Sequence, residues 1–283
     1  MTRSAAAALV ICAACHPARS VAPVRVPVAA VAPDAGPPVD DSAARAAAAW
    51  ARGDPDQAIL LWENAALHAA DPSGPLLDAA RARRVRIARS QRAADPDTAA
   101  ISQDALACAA EAHRSWAVQF PGAAAQLDGT HPAAEVYALV GAPEALYLEA
   151  VCSATWARMQ GFTPLIERRG ELTAELERAI QLAPELDGGG PERELGTLLA
   201  ALPAYAGGDL GEARKRLESA VQRAPQDPRN HLALARTVAV KAQDRALFEK
   251  ELAAVKKGDD ALAAAEADAL LQREDDLFGP REK

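Results

Sequence analysis

From about residue 42 onward, apolar residues recur three and four positions apart, which is the spacing of one face of a helix. The clearest case is repeated. LERAIQLAP at 176–184 and LESAVQRAP at 217–225 share six identities at an offset of 41 residues. Each sets Leu and Ala three apart on one face and closes on a proline, which cannot continue a helix. Leu172 and Ala213 extend the ladder backwards, so both copies read apolar–x3–Leu–x2–Ala–x4–Pro. Ala58, Trp62 and Ala65 repeat the four-then-three spacing as a degenerate third copy.

Helix starts and stops divide the rest of the chain. Gly53 ends a first helix, Asp54 caps the next and Pro55 takes its first position. An arginine-laden helix is predicted over 75–94. The next opens at Asp95-Pro-Asp97 and stops at Pro121-Gly122, and LDGTHP at 127–132 reads as a loop. Further helices are expected over 143–160, with Gly161 as C-cap, and over 165–182, followed by the break GGGP at 188–191. Leu195, Leu198, Leu199 and Leu202 form the next stripe, which Pro203 ends or kinks. Asp209 and Glu212 read as a capping box. Helices near 228–240, 244–257 and 259–274 complete the series.

This ladder is that of the second helix in a tetratricopeptide-type hairpin, and such hairpins bury their faces only by stacking on neighbours. The expected fold is all-α, a tetratricopeptide-like helical hairpin array (an α-solenoid) over residues 41–278. A scaffold that presents a surface, with no enzymatic activity, is the corresponding expectation.

The first 40 residues follow a different pattern. Residues 1–15 read as a short export signal: Arg3, then the apolar run AAAALVI, then Ala13-Ala14-Cys15. Small–small–Cys resembles a bacterial lipobox, which makes Cys15 the lipidated mature N-terminus. The alternative is an ordinary short secretory signal. Cys12 leaves with the signal, so Cys12 and Cys15 are not read as a redox pair. His16 in place of Asp points to outer-membrane sorting. Residues 16–40 hold six prolines among Ala and Val and read as a tether without a core. At roughly 3.1 Å per residue it reaches about 75 Å.

Charge and composition narrow the function. A formal net charge of −8 argues against nucleic acid as a partner. No GxSxG, HExxH or Walker loop is present, so the glycine run reads as a connection. The five histidines have no metal-ligand spacing with a cysteine, so neither a metal site nor a cofactor is expected. Six arginines lie between 81 and 92 in RARRVRIARSQR, leaving a narrow apolar strip of Leu76, Ala80 and Ile87. The strip is too narrow for membrane insertion, and a solvated face is expected. Glu192/Glu194 and Asp275/Asp276 read as solvated surface. Cys108 and Cys152 fall in predicted helices. An oxidising compartment permits a disulfide between them, and two free buried thiols are the simpler expectation. Tyr147, Trp156, Phe162, Tyr205 and Phe248 are the aromatics that a concave face could gather into an apolar ligand pocket.

EALYLEAVCSATWARMQGFT at 144–163 resembles the aromatic helix of the TRAP transporter T-component (TatT) family. The resemblance continues through LTAELERAIQLAPEL, GPERELG, GGDL, LESAVQRAP and KAQDRALFEKEL to ALLQREDDLF, over roughly residues 97–278. Tyr147, Trp156, Phe162, Pro203, Gly207, Gly208, Asp209, Phe248 and Phe278 fall on positions the family pattern favours. The resemblance implies a periplasmic, all-helical protein that associates as a homotrimer with the solute-binding protein of a TRAP transporter and handles a hydrophobic ligand. With the lipobox, it implies anchoring on the periplasmic side of the outer membrane. The alternative is a generic tetratricopeptide scaffold lipoprotein within an outer-membrane assembly.

Overall fold

The computed structural model describes residues 41–280, which belong to one packing unit. The export signal, Cys15 and the tether lie outside the described residues. The described residues are helical, with no strand among them. In chain order the helices are α1 (Ser42–Ala51), α2 (Pro55–His68), α3 (Ser73–Gln91), α4 (Thr98–Gln119), α5 (Pro121–Ala124), α6 (Ala133–Ala138) and α7 (Pro143–Gln160). Then follow α8 (Phe162–Leu182), α9 (Gly190–Ala201), α10 (Leu210–Arg223), α11 (Pro228–Ala233), α12 (Arg245–Val255), α13 (Ala261–Gln272) and α14 (Glu274–Phe278). Each long helix packs on the next, and α4 reaches past the short α5 and α6 to pack on α7.

Aspartate is the recurrent start signal. The side chains of Asp54, Asp97, Asp209, Asp227, Asp244 and Asp260 each accept a backbone N–H in the first turn of the helix that follows. The Asp209 box is only half formed. Glu212 turns away to Lys215 and Arg216, and the Asp209 N–H goes to the Leu199 carbonyl. Leu202 and Pro203 end α9, as the proline requires. The helix expected over 228–240 is regular only to Ala233. It continues through a π-helical turn at Leu234–Ala239, which carries Arg236 outward. The C-terminal helix expected over 259–274 is divided at Arg273 into α13 and α14.

The repeat ladder forms the interior. Leu172, Leu176 and Ala179 of α8 are buried in one cluster with α7 and α9. Ala213, Leu217 and Ala220 of α10 are equally buried, and Ala213 and Leu217 join a second cluster with α11 and α12. Ala58, Trp62 and Ala65 are buried too, Ala58 and Trp62 in the cluster of the first three helices. Contacts this small let helices approach closely, which explains how a chain with 4% aromatics packs a series of apolar clusters along its length.

Three expectations are corrected. Leu76, Ala80 and Ile87 of α3 are buried as expected, but the arginines between them are not simply solvated. Arg83 pairs with Glu63, Asp104 and Glu111 from α2 and α4, and Arg86 pairs with Asp56 and Asp104. Arginine here joins three consecutive helices. Glu192 is also buried, held by Arg216 of α10. Finally, Cys108 of α4 and Cys152 of α7 are disulfide-bonded and not free thiols. Their Cα atoms lie 5.9 Å apart, within bridging range, because small residues let α4 and α7 come close.

Candidate ligand cleft

The DGGG segment between α8 and α9 is the foundation of the candidate site. Asp187, Gly188 and Gly189 take positive φ values of 50°, 63° and 76°. Asp is one of the few side chains that adopt this region. At Gly190 an added Cβ would meet the Tyr147 hydroxyl at 2.5 Å, so only glycine lets the loop close over α7. The glycine run is a connection, as expected, and its close approach also places the Asp187 carboxylate against four helices, α3, α7, α9 and α11.

Three arginines converge on that carboxylate. Arg84 of α3 donates through Nη1 and Nη2 to Oδ2, each at 3.0 Å. Arg193 of α9 donates to the same oxygen at 3.0 Å, and Arg229 of α11 donates to Oδ1 at 2.9 Å. The Tyr147 hydroxyl donates to Oδ2 at 2.6 Å and accepts from Arg84 at 2.8 Å. The Arg84 guanidinium also lies 4.8 Å from the Tyr147 ring centroid. Burial opposes the Asp187 charge, but the arginines and the Tyr147 hydroxyl outweigh it and hold the carboxyl well below the usual range. Burial pushes the Tyr147 hydroxyl up, so it stays a neutral donor. Arg193 is nearly inaccessible to solvent, and its Nη1 donates to Asn230 at 2.9 Å. Asn230 in turn donates to the carbonyls of Gly188 and Ala220.

Above this hub opens a cleft of about 700 Å³, in the size range of small-molecule sites. One wall comes from α3 and α7 and the other from α9, α11, the π-helical turn and α13. Ile87, Val151, Leu232 and Leu262 supply apolar surface. Arg92 and Arg158 stand exposed and form no ion pair among the described residues, while Arg236 pairs with Glu266 across 3.2 Å.

The five aromatics named from sequence do not share this cavity. Tyr147 is buried in the hub beneath it. Trp156 is partly buried between two clusters, with Arg168 5.8 Å from its ring centroid. Phe248 is wholly buried, its ring 5.0 Å from that of Phe278. Phe162 and Tyr205 are exposed, Tyr205 at 86%. The residues that sequence reasoning missed are Asp187, Arg193 and Arg229. Arg84 sat within the noted arginine run but read as solvated. The available signal was an Asp directly before GGG, with arginines near two later helix starts.

The arrangement defines a class: an all-helical array with a cation-lined cleft between its walls. Within that class, residues 140–278 match the family model of the TRAP transporter T-component (TAtT). The match begins at Val140, so α4, which the sequence resemblance included, lies outside it, while α7 to α14 lie within. The family is one of accessory transport components. No curated protein matches the chain.

Proposed function

We propose that this chain is an accessory subunit of a TRAP transporter that holds a small ligand in the cleft and docks on the transporter's solute-binding protein. The observation that carries the reading is a coincidence of boundaries. The family match over residues 140–278 contains every element of the cleft except α3. Lipidation at Cys15 and the proline-rich tether would hold the helical body on the periplasmic side of the outer membrane, within reach of a periplasmic partner. A homotrimer is the assembly this reading expects.

The test is reconstitution. The purified chain is mixed with the solute-binding protein of the same organism's TRAP transporter and examined by native mass spectrometry. A stoichiometric complex containing three copies of this chain supports the proposal. Absence of a complex at tens of micromolar overturns it. Capture of an outer-membrane assembly component in its place would favour the generic scaffold. Acyl labelling that disappears in Cys15→Ala tests the anchor.

A further inference from the structure

We propose that the segment linking α4 to α7, residues 120–142 with α5 and α6, is a proton-operated latch: it closes on α8 while the buried Glu175 carboxyl holds a proton and opens when that proton leaves. The inference is independent of the accessory role proposed above and does not involve the cleft.

The segment is lightly held. Its two short helices bury only Ala123, Val136 and Tyr137. Val140 joins them in a cluster with Trp116, Leu146 and Ala174. Two side-chain hydrogen bonds tie it to α8. The Tyr137 hydroxyl donates to Glu175 Oε1 at 2.8 Å, and Arg178 Nε donates to the Val140 carbonyl at 2.9 Å. Short helices with few buried residues are the kind of element that opens locally while the rest of a fold stays closed.

Glu175 is the weak point of the closed form. It is only 3% exposed, yet its Oε2 has no hydrogen-bond partner among the described residues. Protonated, it leaves one neutral group unpaired. Ionised, it leaves a full charge served by a single donor, which is far more costly in an apolar cluster. Tyr137 faces it from α6, Glu149 from α7, and Glu171 and Arg168 from its own helix. From α4 comes His113, whose Nδ1 lies 2.9 Å from Glu149 Oε1. Trp116 Nε1 donates to the other Glu149 oxygen at 2.5 Å, so the donors of α4 serve Glu149 and leave Glu175 to Tyr137. Burial and Glu149 hold the Glu175 carboxyl well above its ordinary value, against the Tyr137 hydrogen bond and Arg168.

Opening the segment brings water to the carboxyl, which then ionises near its ordinary value of 4.5. The closed form keeps its proton to a higher pH. Closure is therefore at full strength below the ordinary value and weakens as pH rises towards the folded one, by up to about tenfold per pH unit.

The test is hydrogen–deuterium exchange on the full chain carrying Cys15→Ala, from about pH 5 to about pH 8, each rate divided by the intrinsic chemical rate at that pH. Peptides from 120–142 are expected to lose protection at least tenfold across the range, while those from α10 and α12 keep theirs. Glu175→Gln keeps the acceptor for Tyr137 but has no proton to lose, so its 120–142 peptides should stay protected throughout. Glu149→Gln removes the charge that helps hold the Glu175 proton, so the fall should level off at a lower pH. Three results overturn the inference: protection of 120–142 that does not change with pH, a loss shared equally with α10 and α12, or Glu175→Gln opening with the wild-type slope. The last would place the titration on His113. If Glu175→Gln lacks the wild-type circular dichroism, Glu149→Gln decides, and an unchanged profile there overturns the inference.

Discussion

The Tyr147 hydroxyl donates to Asp187 Oδ2 across 2.6 Å, joining residues 40 positions apart in the chain. The bond ties the second turn of α7 to the turn before α9. Because that oxygen also receives Arg84 and Arg193, the hydroxyl is one spoke of a charged hub. Tyr147→Phe removes the spoke and leaves the ring in place. Hydrogen bonds to charged groups contribute about 1.5–3 kcal/mol, and a loss of that order is expected in urea denaturation.

Asp187→Asn separates charge from backbone. Asn tolerates a φ of 50°, so the turn is kept while three arginines lose their shared anion. The Arg193 side chain is only 5% exposed and cannot recover by hydration. Breaking a buried pair by removing one partner costs roughly 3–5 kcal/mol, and about 3 kcal/mol is expected here because Asn230 and Asp227 remain. Substitution by Ala is expected to cost more, since the backbone penalty adds. Thermal denaturation of the two variants side by side makes the comparison.

Gly196 lies in the interior of α9, where Ala is intrinsically better by about 1 kcal/mol. Here packing wins over propensity. A Cβ would lie 2.7 Å from Leu217 Cγ and 3.0 Å from the Ala213 carbonyl, both on α10. Gly196→Ala is therefore expected to destabilise by about 1–3 kcal/mol. A neutral or raised melting temperature would show that α9 and α10 can separate without loss.

The Cys108–Cys152 disulfide closes a separation of 44 residues. Loop-closure arguments give roughly 4 kcal/mol for a loop of this size. Reduction, or paired Cys→Ala replacement, is expected to lower the denaturation midpoint accordingly. Mass spectrometry after alkylation without reductant should find Cys108 and Cys152 unlabelled.

Stability should fall as pH rises from about 5 to above 7. Both His231 ring nitrogens face acceptors: Glu251 at 2.6 Å and the Pro225 carbonyl at 2.9 Å. The Glu251 hydrogen bond raises the His231 pKa above 6.5. Its contribution is complete below the unfolded value and is lost as pH climbs through the folded one. Burial, outweighing Arg83, pushes the Glu111 carboxyl up to about 7. The native state then holds a proton that the unfolded chain releases near 4.5, so the slope has the same sign. His231→Gln should flatten the upper part of the curve and Glu111→Gln the lower part, both read from denaturation midpoints.

The interior was the legible part of this chain, because helix period and proline stops are local. Leu176, Ala179, Leu217 and Ala220 could be placed inside without knowing any partner. The site was less legible, because its members are united only by tertiary approach. Arg84, Asp187, Arg193 and Arg229 come from α3, a turn, α9 and α11. A run such as RARRVRIARSQR has the same spacing whether its arginines meet water or carboxylates on neighbouring helices. The cysteine pair was undecided for a similar reason, since a sequence separation of 44 does not reveal whether two helices touch. The aromatics were weighed by type, yet burial scattered them among separate clusters.

Cys152 lines the cleft and is at the same time bolted to α4. The α7 side is thereby a fixed jaw. The opposing side at α13, beyond the turn at Gly258, is seated by the buried Ala263 and Ala267, with Leu270 and Leu271 packed on the same cluster and Glu266 paired with Arg236. The two sides of the cleft are therefore secured differently, one by a covalent bond and the other by side-chain packing and an ion pair.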